Sequence, residues 1–478
     1  MQVFNSLTRK KEEFISINSK RVGVYTCGPT IYDYPTIGNW RTYTLGDLVV
    51  RTLKYFDYKV NYVMNLTDVG HLSGDNLGDA SLGEDRMAKA SDREGVDAWG
   101  IADKYGKDFL NSFSLLNLQI PNTIAKATDH IPEQIELIKQ LEAKGLTYKT
   151  SDGIYFNVKK YEDEGNTYGE LSNIDQIRIE GQRIAENVEK RDKRDFALWK
   201  FFATGQKRHN MQWKSPWGEG YPGWHIECSA MSMKYLGPQF DIHIGGEDLK
   251  STHHPNEIAQ SESATGCKPF VKYWMHGAFL TVDGGRMGKS LGNAYNLHNI
   301  IEKGIDPLAL RYFYLTAHYR KQQNFTWEGL IGAATALRRL QDSATTFLKR
   351  VAPEKDSNIN KSENVLNYTD RFNDAISDDL NMPEALAVTW EIFQDHNLND
   401  FEKAFLAFEF DKVLGLSLTS EKKSLIDEIP AEIQALAGKR EEYRKSKDFD
   451  KADQVRKQIE AFGYIIKDLP SGTEIKKQ

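Results

Sequence analysis

The chain has 478 residues, 40% of them hydrophobic, with 62 Lys+Arg against 68 Asp+Glu for a formal charge of −6. That length suits about two to four domains with a substantial core, and the acidic balance excludes a broadly basic nucleic-acid binder, so any such contact must use local patches. The three cysteines, Cys27, Cys228 and Cys267, cannot all pair and form no CxxC, which points to a reducing compartment. With no charged-then-apolar leader and no apolar run of bilayer length, the chain reads as a cytoplasmic protein that does not engage a membrane.

Val22 and Val24 alternate with small or polar residues as the end of a strand, and Leu45, Leu48, Val49 and Leu53 then recur at helical spacing. Val60, Tyr62 and Met64 alternate as a second strand, so strand, loop, helix and strand begin a right-handed parallel crossover. The connecting loop, Cys27-Gly28-Pro29-Thr30 through Thr36-Ile37-Gly38-Asn39, opens at the carboxyl edge of that sheet, where α/β proteins bind ligands. Its last corner falls where a helix begins and free N–H groups can meet phosphate. The second strand ends in Asn65-Leu66-Thr67-Asp68, and a Gly/Asp-rich loop follows at 73–84.

Residues from about 112 to 190 read as an insertion, with a helix over 131–146, a strand at Gly153-Ile154-Tyr155-Phe156, and a charge-dense stretch at 186–194 marking the return to the main sheet. Beyond an aromatic-rich loop come Pro222-Gly223-Trp224-His225-Ile226-Glu227-Cys228 and a strand at Asp241-Ile242-His243-Ile244. Gly245-Gly246-Glu247-Asp248 and His253-His254-Pro255-Asn256-Glu257 follow, then a strand over 273–282 and Arg286-Met287-Gly288-Lys289-Ser290. The remainder is mostly helical, broken by a polar linker at 353–364, and the tail from 439 starts as a charged helix and ends with Gly and Pro.

Two constellations carry chemistry. His253 and Glu257 are one helical turn apart and face one spot, and with the thiolates of Cys27 and Cys228 they make a plausible tetrahedral set for zinc. On spacing alone, packed core thiols and a hydrogen-bonded histidine are the stronger reading, and Glu257 stands so near both histidines that spacing barely separates His253 from His254. The second constellation is the pair of loops at Thr36–Asn39 and Arg286–Ser290, where glycine permits close backbone approach and Lys289 can neutralise charge on a transferring phosphate. Neither loop is specific alone, and the second lacks Walker spacing.

In order and spacing, these segments resemble cysteinyl-tRNA synthetase, a class I aminoacyl-tRNA synthetase, along essentially the whole chain. The resemblance rests on Cys27-Gly-Pro-Thr with the Thr36–Asn39 corner, Asn65-Leu-Thr-Asp, Pro222-Gly-Trp-His-Ile-Glu-Cys-Ser-Ala-Met, Gly245-Gly-Glu-Asp-Leu with His253-His-Pro-Asn-Glu257, Arg286-Met-Gly-Lys-Ser-Leu-Gly-Asn293, and the tail from Lys447-Asp-Phe to Ala452-Asp453. It implies an α/β protein: a Rossmann-type parallel-sheet catalytic domain (residues 1–111 and 191–300) with an inserted connective domain (112–190), followed by α-helical C-terminal domains. These are a stem-contact region at 301–352, a helical bundle at 365–425 and an anticodon-recognition segment at 426–478.

The resemblance also implies one zinc ion on Cys27, Cys228, His253 and Glu257, with Gly28, Thr67, Trp224 and His243 completing the cysteine pocket. L-cysteine would react with ATP, accompanied by Mg2+, to give cysteinyl-adenylate and pyrophosphate, and the cysteinyl group would pass to tRNA(Cys). Thr36, Asn39 and Lys289 would be catalytic, and ATP would contact Thr36, Gly38, Asn39, Gly246, Asp248, Arg286, Met287 and Lys289. Zinc ligation explains selection without proofreading, since serine matches a thiolate poorly as a ligand. Thr36 stands where the family usually has histidine, and Thr36-Ile-Gly-Asn39 resembles the corresponding loop of tryptophanyl-tRNA synthetases, while Arg286 replaces lysine and Gly288 replaces serine.

The tail from 439 to 478 holds 11 Lys+Arg against 8 Asp+Glu, a local +3 in an acidic chain. Phe449, Asp453 and Asp468 match family positions that read the anticodon, an aromatic for stacking and carboxylates for base edges. A monomer is expected. The alternatives are a mycothiol-type cysteine ligase, which lacks such a tail, and a silent tRNA-binding paralogue, which intact Lys289 opposes. Cys267 has no assigned role.

Overall fold

The computed structural model of the chain describes residues 1–70, 86–172, 189–202, 211–350, 362–418, 431–446, 448–461, 464–469 and 472–477. The expected loop at 73–84, most of the linker at 353–364 and the side chain of Asp468 lie outside them. Two compact units result, one of residues 1–303 with 307–419 and one of residues 304–306 with 420–478.

The first unit opens with a hairpin of β1 (Gln2–Asn5) and β2 (Lys10–Glu13), then β3 (Arg21–Thr26), α1 (Ile37–Tyr55) and β4 (Lys59–Leu66). Helices α2 (Arg86–Glu94) and α3 (Ala98–Leu115) lead to β5 (Thr123–Lys126) and α4 (Ile131–Ala143). Next come β6 (Thr147–Lys149), β7 (Gly153–Phe156), α5 (Val158–Asp163), β8 (Phe196–Lys200), β9 (Trp213–Ser215) and β10 (Gly218–Pro222). The chain continues through α6 (Trp224–Leu236), β11 (Phe240–Gly246), α7 (His253–Thr265) and β12 (Val271–Gly277). β13 (Leu280–Val282), β14 (Gly285–Arg286), α8 (Leu297–Glu302), α9 (Leu308–Leu315), β15 (Gln323–Phe325) and α10 (Trp327–Arg350) follow, and a bundle of α11 (Glu363–Ser377), α12 (Met382–Gln394) and α13 (Asp400–Leu414) closes the unit.

The main sheet is parallel throughout, in the order β12-β11-β3-β4-β5. Strand order reverses between β3 and β11, so a crevice opens at their carboxyl ends. α1 is held over the sheet by a buried aromatic cluster, with Trp40 stacked on Phe109 at 5.2 Å between ring centres.

The second sheet, β6-β7-β8-β10-β9, is antiparallel and divides the chain differently from the expected insertion at 112–190. β5, inside that range, belongs to the main sheet, whereas β8, β9 and β10 beyond it belong to the second. The charged stretch near 190 therefore leads to β8 and not back to the main sheet. The physical reason is that the residues of β8 are buried throughout and carry no alternation that would reveal which sheet they join. The layer shares a core with the helices beside the main sheet, since Phe156, Leu198 and Trp199 pack in one cluster with Ile226, Ala230 and Ala259 of α6 and α7. β10 runs directly into α6 through Gly223, whose N–H donates to Leu198 O at 2.9 Å. A Cβ there would lie 2.0 Å from Ala197 O, so only glycine permits this close approach.

α1 is tied to the helical part by two buried cations. Arg41 donates to the carbonyls of Ala278 (2.7 Å), Phe279 (3.1 Å) and Lys321 (2.6 Å); burial draws its pKa down to about 10, so it stays charged at neutral pH. Asp47 pairs with Arg311 of α9 at 2.7 Å, both fully buried, and Arg311 also donates to Leu414 O at 2.6 Å. Arg311→Met is expected to lower unfolding free energy by at most about 3 kcal/mol, because the buried Asp47 loses its fully buried partner and keeps Arg51, at 2.8 Å, as its remaining cation. Urea denaturation followed by tryptophan fluorescence reads this, and an unchanged midpoint would show that apolar packing replaces the pair.

The second unit pairs α14 (Ala431–Lys445) with α15 (Phe449–Ala461) and ends in an antiparallel hairpin of β16 (Tyr464–Leu469) and β17 (Gly472–Lys477). Its core is Ile433, Ala437, Val455, Ile459 and Ile466. The tail, read from sequence as a charged helix ending with Gly and Pro, also carries two short strands, paired from Tyr464↔Lys477 to Leu469↔Gly472. Among the described residues no helix is long and apolar enough to cross a membrane.

Candidate active site

The crevice between β3 and β11 holds a cavity of about 200 Å³. Its floor and walls bring together Cys27, Gly28, Thr36, Asn39, Trp224, Cys228, Gly246, Asp248, His253 and Lys289, ten of the expected site residues from five separate stretches of chain. Gly28 is fixed by its N–H donating to Asn65 Oδ1 at 2.8 Å, and a Cβ there would meet Asn65 O at 1.9 Å. The turn from β3 can reach the end of β4 only without a side chain.

Four donors meet on the floor. The ligating atoms of Cys27, Cys228, His253 and Glu257 all lie within 4.8 Å of one another, and all four residues are buried. Cys27 Sγ is 4.0 Å from Cys228 Sγ, and His253 Nε2 is 3.1 Å from Glu257 Oε1. The other carboxylate oxygen, Oε2, accepts from His243 Nε2 at 3.0 Å, whereas Oε1 is buried and takes no hydrogen bond. Burial raises the thiol pKa values, but the hydrogen bond from Cys27 and the charge of His253 bring Cys228 down to about 7. Burial and the neighbouring thiol push Cys27 well up. Two thiols, an imidazole and a carboxylate oxygen without a hydrogen bond, closing on one point, fit a metal ion.

A second grouping, Cys27, His243, His254 and Glu257, shares two of these residues. It differs in its relation to the cavity: Cys27, Cys228 and His253 line the wall, while His243, His254 and Glu257 do not. His254 is also engaged on both sides, Nε2 lying 3.5 Å from Cys27 Sγ and Nδ1 2.8 Å from His276 Nε2, which reaches Ser6 Oγ through its Nδ1 at 2.8 Å. Burial keeps both imidazoles neutral. Each has one N–H to give, so the chain runs in one direction when Cys27 carries its proton and reverses when Cys27 is a thiolate.

Thr67 and His243 stand behind the wall. Thr67 Oγ1 donates to the buried Glu227 at 3.2 Å and accepts from Asn65 Nδ2 at 3.1 Å. His243 is stacked on Trp274 at 4.6 Å. Trp224 does line the cavity, 4.3 Å from the His253 ring. Sequence reasoning gave no role to Ser6, Glu227 and His276; Glu227 meets Thr67 across 160 positions and Ser6 meets His276 across 270, with no shared spacing.

Thr36 is the N-cap of α1. Its hydroxyl accepts from Asn39 N at 3.4 Å and its own N–H donates to Asn39 Oδ1 at 2.9 Å, a capping box that holds the corner rigid; the hydroxyl also donates to Asn39 Oδ1 at 2.8 Å. The second loop approaches it: a Cβ on Gly38 would lie 3.6 Å from Met287 Cε. That loop is closed on itself by Asn293, which accepts from Gly288 N at 2.9 Å and donates to Arg286 O at 3.0 Å. Arg286 and Met287 do not line the cavity, whereas Lys289 does, with Nζ 2.7 Å from Asp33 Oδ2. Phe449 and Asp453 belong to the second unit, both exposed and one turn apart on α15, with Asp468 on β16.

Residues 13–335 match the family described as tRNA synthetases class I (C), catalytic domain. "Cysteine–tRNA ligase 1" of Burkholderia lata is 42% identical over 477 residues, covering 99% of this chain and 96% of that protein. The chain belongs to the cysteine–tRNA ligase family. Another member, from Treponema denticola, is 39% identical over 499 residues, covering 100% of this chain and 99% of its own. Among solved structures, Mycobacterium tuberculosis methionyl-tRNA synthetase with methionyl-adenylate shares the fold at a TM-score of 0.57 and 16% identity, over 83% of this chain and 88% of that one. The Agrobacterium radiobacter K84 agnB2 LeuRS ternary complex does so at 0.59 and 12%, over 87% of each. This family member thus has the class I fold, with a metal-competent donor set at its crevice.

Proposed function

We propose that the protein activates L-cysteine with ATP to cysteinyl-adenylate and transfers the cysteinyl group to tRNA(Cys). The observation that carries this reading is the four-donor cluster on the floor of the crevice, in a chain whose relatives are cysteine–tRNA ligases over their full length. Cys27, Cys228, His253 and Glu257 would hold one zinc ion. Bound there, zinc would supply a soft Lewis acid that favours a thiolate over a hydroxyl. The opening of this set to the cavity favours it over the set with His243 and His254.

The cysteine side chain would point at that floor, beside Gly28 and Trp224, while His243 would orient the Glu257 carboxylate from behind and Thr67 would support the wall. ATP, carried in with Mg2+, would lie across Thr36, Gly38 and Asn39 toward Gly246 and Asp248, with the free N–H groups of α1 facing its phosphates. The cysteine carboxylate attacks the α-phosphate and pyrophosphate leaves; no side-chain nucleophile is needed, because alignment and charge neutralisation suffice. Lys289 would meet the developing phosphate charge, aided by Arg286 and Met287 on the same loop. The second unit would read the anticodon, Phe449 stacking on a base (its side chain is 59% exposed) and Asp453 and Asp468 accepting from base edges.

Thr36 caps α1 through its hydroxyl, so the corner keeps its shape without the usual histidine. Cysteine-dependent ATP–pyrophosphate exchange is accordingly expected, with none for serine and about one zinc per chain, followed by charging of tRNA(Cys). Zinc binding without exchange would overturn this reading in favour of a silent tRNA-binding protein, and exchange without charging would favour a ligase acting on a small acceptor.

A further inference from the structure

Lys289 has one carboxylate partner among the described residues, Asp33, which sits on the first loop three residues before Thr36. The Nζ–Oδ2 distance is 2.7 Å, and the ammonium also lies 4.6 Å from the centre of the Tyr32 ring. Asp33 is itself oriented, because Oδ1 accepts from Tyr34 N at 2.8 Å. That bond directs Oδ2 at the cation. The pair bridges the two loops across the mouth of the cavity, and both residues line it. A second cation stands in reserve: Arg93 Nη1 is 3.7 Å from the same oxygen, and Arg93 is anchored at 2.9 Å by both Glu94 and the Tyr105 hydroxyl.

A carboxylate so near a polyphosphate site competes for the very cation the ligand needs, while Arg93 beside it offsets its own charge. Lys289 cannot make a close ion pair with Asp33 and with a phosphate in the same direction at once. The carboxylate, by contrast, keeps Arg93 when Lys289 departs, so releasing the lysine leaves no unpaired charge. The backbone that bears Lys289 is held in place, by the pairing of Gly285 and Arg286 with β13 and by Asn293, which grips Gly288 N and Arg286 O; the exchange of partners therefore falls to the flexible four-carbon side chain of the lysine.

Resting on the assignment of this cavity to ATP, we propose that Asp33 is a placeholder for the phosphates: it holds Lys289 at the cavity mouth in the empty protein and hands it to ATP, falling back on Arg93. Asp33 is thus a positioning residue that acts through Lys289. By competing for the lysine it weakens binding of both ATP and pyrophosphate, and so speeds departure of the product.

The test is equilibrium titration of the full-length protein with Mg2+–α,β-methylene-ATP and, separately, with Mg2+–pyrophosphate. Four proteins are compared: wild type, Asp33→Asn, Lys289→Met and the double variant. Asp33→Asn is expected to tighten both ligands about threefold to fivefold, the range of a half-exposed ion pair. In the Lys289→Met background the same change is expected to have no effect, and Asp33→Glu, which restores the carboxylate, should return affinity toward wild type. Weaker binding in Asp33→Asn, unchanged binding, or equal tightening in both backgrounds would overturn the proposal; the last would mark simple removal of a repulsive charge. Failure of wild-type protein to bind either ligand would instead overturn the ATP reading of the cavity, and this proposal with it.

Discussion

Cys228→Ser is expected to leave the protein folded while metal content falls well below one per chain and cysteine-dependent exchange drops by more than about 100-fold. Serine is nearly isosteric with the buried thiol, so packing is kept and the soft donor alone is lost. An oxygen in its place would be a poor ligand at neutral pH, since a hydroxyl does not ionise there as a thiol does. Loss of a partner outside the coordination sphere already costs about 10- to 100-fold in affinity or activity, and a direct ligand should cost more. Metal content after dialysis against buffered zinc and exchange with cysteine and serine read the two effects. His254→Gln is the matched control, because His254 faces Cys27 from behind and does not line the cavity. Retention of metal by Cys228→Ser together with its loss in His254→Gln would move the site to the inner set with His243.

Lys289→Ala is expected to lower the exchange kcat by about 10²- to 10³-fold, the usual cost of removing one preorganised charge stabiliser, with little change in the KM for cysteine. The side chain is half exposed at the mouth of the cavity, so stability should hardly move and a thermal melt should match wild type. In the proposed arrangement the amino acid lies at the other end of the crevice, on the floor around Cys228 and Trp224, which is why its KM should be spared. A loss of only a few-fold would show that Arg286, three residues earlier on the same loop, supplies the charge.

The parts of this molecule that were legible in the sequence are those whose signal is local. The run from β3 through α1 to β4 follows from alternation and helical spacing, and the corner at Thr36 marks the start of α1 because an N-cap is a property of four adjacent residues. His253 and Glu257 meet because they share one turn of α7. That they meet Cys27 and Cys228 is a matter of strand order, which places β3 beside β11 and has no local signature; only the family resemblance supplied it. The relay from Cys27 through His254 and His276 to Ser6 was invisible for the same reason. β9 and β10 lie in what reads as an aromatic-rich loop, since three to five residues with several glycines lack a clear period. The closing hairpin of the second unit was hidden by its brevity and charge.

α1 begins at the corner proposed to meet phosphate, and along its length it is fastened by Arg41 to the backbone at Ala278, Phe279 and Lys321 and by Asp47 to Arg311, which in turn grips Leu414. The helix is thus an axle shared by the crevice and, through Arg311, by the bundle. In terms of dissection, the smallest fragment that can carry the reaction does not stop where the parallel sheet stops. Cutting after α8 would take from Asp47 its fully buried partner Arg311 and from Arg41 the carbonyl of Lys321, so the piece that keeps every tie on this helix runs to about Leu418. An ancestor made of the sheet alone would have needed a different α1, with apolar or solvated residues at both positions. The bundle is tied to this body at the end of α13, where the Leu414 carbonyl accepts from the same Arg311 that pairs with Asp47.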